Sequence, residues 1–111
     1  MTTLSLQSRI RILLLELSIP AHRIGYKALL QALLICVQQD IHYYSTELYP
    51  LLADSLNISD GEAVAQAIHE AILDGFQMGN ALLWGRYFPN LDKAPSNKVF
   101  ISTLAEYLKE S

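Results

Sequence analysis

Apolar residues recur at helical spacing almost from the start of the chain. Leu6, Ile10, Leu13, Leu14 and Leu17 share one face, with Gln7, Arg11 and Ser18 on another, which predicts a first helix ended by Pro20. A stronger stripe, Tyr26, Leu29, Leu30, Leu33, Leu34, Val37 and Ile41, covers about four turns and turns Lys27, Gln31 and Gln38 away. This second helix is expected at the centre of the core. A third begins near Ser45 or Thr46 and carries Leu48, Leu51, Leu52 and Leu56 inward, with Pro50 accommodated in its first turn, where an amide has no intrahelical partner.

After Asn57 and Ile58, Ser59-Asp60-Gly61-Glu62 reads as a capping box: the serine accepts from the third helical amide and the glutamate reaches back. The fourth helix that follows buries Val64, Ala67, Ile68, Ala71, Ile72, Gly75 and Phe76, and Gly79-Asn80 forms a left-handed stop. A brief helix from Ala81 to Phe88 and a loop with Pro89 and Pro95 lead to the last helix. Ser96 caps it, and Phe100, Thr103, Leu104, Tyr107 and Leu108 form its inner stripe. No alternating strand pattern and no repeat occurs, so the expected fold is all-α: six helices in one compact domain. The third and fourth helices, joined by the tight Leu56-Asn57-Ile58-Ser59 turn, fit an embedded helix-turn-helix, although any helical bundle has short turns.

Composition agrees with a single self-sufficient domain. The 111 residues are 51% hydrophobic and 17% charged, which suits one core and excludes a disordered tail. The one cysteine, Cys36, has no partner for an internal disulfide, and a bridge-free small domain fits the cytoplasm. The longest apolar stretch, Ala28 to Val37, is interrupted by Gln31 and falls well short of the ~20 residues of a membrane helix. Arg9 and Arg11 precede a leucine run, but Glu16 breaks it and no small-residue cleavage site follows, so no secretion signal is expected.

Charge changes the picture more. The formal net charge is −3, yet residues 28–85 contain no lysine or arginine and seven acids: Asp40, Glu47, Asp54, Asp60, Glu62, Glu70 and Asp74. The flanks hold all eight bases and only four acids. The helix-turn-helix therefore lies inside a strongly acidic interval.

Ile19-Pro20-Ala21-His22 followed by Gly25-Tyr26, then Leu48-Tyr49-Pro50, Ala67-Ile68, Ala71-Ile72, Gly79-Asn80, and Lys93 to Ile101 with Pro95, Asn97 and Phe100 come in the order of one family. From about Ile12 to Leu108 the chain resembles the C-terminal effector domain of the stage-zero sporulation response regulator, the master transcription factor of endospore-forming bacteria. The resemblance implies six helices, a fourth helix that enters the major groove, and a bacterial cytoplasmic protein that pairs as a homodimer on DNA. Two departures stand out. The family's receiver domain does not precede this module, so phosphorylation control is not expected within it, and Met1 with self-contained helices leads to the expectation of a whole gene product. The fourth helix, rich in arginine in the family, here runs from Glu62 to Phe76 without a cation, with one extra residue near Asp60-Gly61. Ala63, Gln66, His69 and Met78 stand where the family tends to place basic side chains.

At helical spacing Glu62, Ala63, Gln66, His69, Glu70, Leu73 and Gln77 point away from the core. Duplex binding draws most of its affinity from lysine and arginine at about 6–10 phosphates, and this face supplies none. Arg86, Lys93 and Lys98 are the candidates for touching the backbone from the loop before the last helix, contacts that position without reading sequence. The expected function is a transcription-regulator-like domain with weak or lost binding to duplex DNA. The alternative is a protein-interaction module, for instance an antagonist that poisons the pairing of a related regulator protein.

Other chemistry finds no support. His22, His42 and His69 lie on separate turns or helices, so no metal site is expected; no phosphate loop, nucleophile elbow or carboxylate pair points to an enzyme or a cofactor. Cys36 reads as an inert buried thiol and Trp84 as core, while the role of Tyr43-Tyr44 stays open.

Overall fold

The computed structural model describes residues 4–39 and 45–110. Ile41, His42 and Tyr43-Tyr44 lie outside the described residues. The elements are α1 (Leu6–Glu16), α2 (Ile24–Gln38), α3 (Ser45–Leu56), α4 (Gly61–Met78), α5 (Ala81–Tyr87) and α6 (Asn97–Glu110), with no strand among the described residues. Among the described residues the fold is all-α with six helices, as the periodicity predicts.

Short polar side chains start most of these helices. Ser5 Oγ accepts from the Ser8 amide at 3.1 Å, Asn80 Oδ1 from the Leu82 amide at 2.8 Å, and Ser96 Oγ from the Val99 amide at 3.2 Å. The cap of α4 is Asp60 and not Ser59: Asp60 Oδ1 accepts from the Ala63 amide at 2.8 Å. A carboxylate satisfies that amide and also suits the positive end of the helix dipole, so the helix begins one residue later than the capping-box reading places it.

Two helices end in the same way. Ser18 adopts φ 60°, its N–H donates to the Leu15 carbonyl and the Ile19 N–H to the Leu14 carbonyl, each at 3.0 Å. This is a Schellman stop, so α1 ends before Pro20 can act on it. Asn57, at φ 58°, ends α3 likewise, with the Ile58 N–H donating to the Ala53 carbonyl at 2.8 Å. Gly79, expected in the left-handed region, is instead extended at φ −82°, ψ 171°. Space explains the glycine: a Cβ would stand 2.5 Å from both the Gly75 carbonyl oxygen and Trp84 Nε1.

Helix α2 packs against α1, α3, α4 and α6 and buries Ala28, Leu29, Ala32 and Leu33 completely. Its contact with α4 is close enough that a Cβ on Gly25 would collide with the Ala67 carbonyl and lie 2.8 Å from Ala71 Cβ. Three sequence expectations shift. Leu51 is exposed, and α3 buries Leu48, Tyr49, Leu52 and Ala53. Pro50 lies inside α3 rather than in its first turn, where its missing N–H removes one ladder bond. Tyr107 is half exposed, edge-on to Tyr87 at 4.9 Å, and α6 buries Phe100, Ile101, Leu104, Ala105 and Leu108. Trp84 is core: its indole N–H donates to the Leu17 and Gly75 carbonyls at 3.1 Å each, with Phe76, Phe88 and Phe100 around the rings. Among the described residues no helix is long and apolar enough to cross a membrane.

Candidate functional site

Helices α3 and α4 meet across the Asn57-Ile58-Ser59-Asp60 turn. Gly61 lets α4 start tight against α3, since a Cβ there would stand 3.3 Å from Tyr49 Cβ and from the Pro50 nitrogen. The pair is clamped from behind. Asn97, at the first residue of α6, donates through Nδ2 to the Ala65 carbonyl at 2.9 Å and to the Tyr49 hydroxyl at 3.1 Å. On the other side the start of α2 packs through Gly25 on Ala67 and Ala71. Buried Val64, Ile68, Ala71, Ile72 and Gly75 hold α4 to the core, so its opposite side is presented to solvent.

That side carries Glu62, Gln66, His69, Glu70 and Gln77, all exposed. Ala63 and Leu73 are only half exposed; a methyl and a branched aliphatic group stay against the helix, while amides and carboxylates reach water. Gln66 Nε2 donates to Glu70 Oε1 at 3.2 Å across one turn. Arg23, the N-cap residue of α2, sets its Nε 2.5 Å from Asp74 Oδ2 and its Nη1 3.8 Å from Glu70 Oε2. The helix-turn-helix therefore has a cation beside it after all. It comes from outside residues 28–85, and sequence reasoning missed it because α2, α3 and much of α4 lie between the partners along the chain. The signal that could have found it is Gly25, whose need for close approach places its neighbour Arg23 against α4.

Arg86, Lys93 and Lys98 are exposed, in the last turn of α5, in the loop, and in the first turn of α6. Lys98 follows Asn97, the residue tied to α4 at Ala65, so the fold brings its backbone beside the helix-turn-helix. Arg86 and Lys93 stand farther along the chain between α4 and α6. His69 is exposed on α4, and His22 is exposed in the turn before α2. No group of three or more His, Cys, Asp or Glu that could hold a metal ion occurs among the described residues. Cys36 is buried, and burial pushes its thiol above the ordinary value, against a smaller opposing effect of Lys109.

The geometry is that of a helix-turn-helix with a solvent-facing second helix, set in a six-helix domain. The profile of the family described as "Sporulation initiation factor Spo0A C terminal" matches residues 10–108. No curated protein matches the chain. With nearly its whole length matched and its six helices in place, the chain belongs to the Spo0A C-terminal domain family, a family of DNA-binding effector domains.

Proposed function

We propose that this domain serves transcriptional control with weak direct affinity for duplex DNA, and that the exposed side of α4 is its contact surface. The observation that supports this reading is the side chains of that surface: Glu62, Gln66, His69, Glu70 and Gln77, with the adjacent Arg23 engaged by Glu70 and Asp74. Each phosphate contact contributes about −0.9 to the slope of log affinity against log salt. With Arg86, Lys93 and Lys98 as the free basic groups of the α5–α6 region, the slope should not exceed about −3 in magnitude. Gln66 and Glu70 have the chemistry for adenine and cytosine edges, but such contacts specify rather than supply affinity. A role in the cytoplasm goes with the family.

Fluorescence anisotropy with a generic duplex at 50 and 200 mM salt tests the reading. Weak binding with a shallow slope is expected. Micromolar or tighter affinity at the higher salt, falling steeply as salt rises, overturns it.

A second use of the same face is favoured by its amide and carboxylate chemistry, which suits a basic protein surface better than a polyanion. The partner would be a related regulator with a cationic recognition helix, whose pairing this domain would block. Light scattering of the mixture reads that complex, and the same measurement on the chain alone distinguishes a 12.5 kDa monomer from a homodimer.

A further inference from the structure

Gln66, Glu70 and Asp74 follow one another at intervals of four, and at about 100° per residue the row drifts from the middle of the outward face at Gln66 to one flank of α4 at Asp74. Arg23 lies along this flank, in reach of both acids. Across the outward face, on the side of Ala65, stand Asn97 and the start of α6. A helix about 10–12 Å across nearly fills a major groove about 12 Å wide, so its outermost residues meet bases while its flanks meet the phosphate walls. The guanidinium of Arg23 is thus placed where a phosphate would lie if α4 entered a groove.

Its present partners hold it loosely. The Arg23, Glu70 and Asp74 side chains are 41%, 50% and 31% exposed, and ion pairs this open to water contribute little and exchange readily. A phosphate offers the guanidinium two parallel, charge-assisted hydrogen bonds instead. While the pairs persist, however, both acids stay beside the groove wall and the arginine's charge is spent within the molecule.

We propose that Arg23 is a phosphate-contacting side chain of the α4 surface, and that Glu70 and Asp74 form an intramolecular latch that withholds it from DNA. The latch rests on the reading of α4 as the contact surface and accounts for part of the weak affinity proposed above. It makes Arg23 the positive group that the acidic interval lacks, supplied by a different helix.

The test uses the whole chain and a generic duplex, with anisotropy measured at 50 and 150 mM salt. Four proteins are compared: the natural chain, E70Q/D74N, R23A/E70Q/D74N and R23A. Helical circular dichroism checks that each is folded. E70Q/D74N should bind about three- to tenfold more tightly than the natural chain at 50 mM salt, the range that two exposed ion pairs allow. Adding R23A should remove most of that gain and make the log–log salt slope shallower by about one unit, the value of one phosphate contact. The latch is overturned if R23A/E70Q/D74N binds as tightly as E70Q/D74N with the same slope, because the gain would then come from lost negative charge alone. Absence of any gain in E70Q/D74N overturns it too. The natural chain's own affinity judges the function proposed above, independently of the ratio between the double and triple variants.

Discussion

At Ser18 and Asn57 the backbone enters the left-handed region, and there the two residues are not equivalent. An asparagine tolerates that conformation through its short polar side chain, whereas a serine bears more of the steric cost. Ser18→Gly should therefore stabilise the domain by about 0.5–1 kcal/mol, with a smaller effect for Asn57→Gly, both read from urea midpoints at unchanged m-value. Since Ser18 is exposed, no packing is lost by the change. A loss of stability in Ser18→Gly would show that the serine side chain does more at this turn than its backbone angle suggests. Such details are only partly legible in a sequence. The stop after α1 is signalled by Pro20, but the chain has already turned at Ser18; a capping box is signalled at Ser59, but Asp60 takes the amide. Neighbouring residues with the same chemistry compete for one role, and the winner is set by the exact entry of the chain into the helix.

The elements themselves are legible, because burying one side of a helix imposes a spacing that survives without knowledge of its neighbours. What the spacing leaves open is where the buried side ends. Leu51 and Tyr107 stand at the edges of their stripes and face water, while Tyr49 and Ile101 are covered by adjacent helices. The helix-turn-helix depends on one such cross-element contact. Asn97 Nδ2 joins α6 to both α3 and α4, while its Oδ1 is buried with no hydrogen-bond partner among the described residues. Asn97→Ala should cost about 1–2 kcal/mol through the lost hydrogen bonds. Asn97→Asp should cost more, because it removes the donor and sets a carboxylate oxygen against the Ala65 carbonyl, which can only accept. Denaturant unfolding checks the order, and an aspartate variant as stable as the alanine one would contradict the proposed donor geometry.

For the molecule as a whole, long-range pairs set the behaviour that no local pattern announces. Arg23 makes two such pairs, with Glu70 and Asp74; Tyr87 with Glu16 is a third. The Tyr87 hydroxyl donates to Glu16 Oε2 at 3.0 Å, and burial first, then this bond and the carboxylate's charge, push its ionisation well above the ordinary value. A group held protonated by the fold contributes stability that is fully present below its unfolded pKa of about 10 and is lost as pH climbs above that value. Thermal stability should therefore decline above about pH 10, and Tyr87→Phe should decline less over the same window. Parallel curves for the two proteins would remove the Tyr87–Glu16 bond from the account.

One consequence follows from the position of Trp84, the only tryptophan of the chain. Its indole sits at the junction of the α1 terminus, α4 and α6, dry and doubly hydrogen-bonded, while the exposed residues of α4 point the other way. Intrinsic fluorescence thus gives a label-free gauge of core integrity that is blind to simple docking on the exposed side. In a titration with DNA or protein, steady emission marks a rigid encounter, and a red shift marks a domain that has loosened to bind.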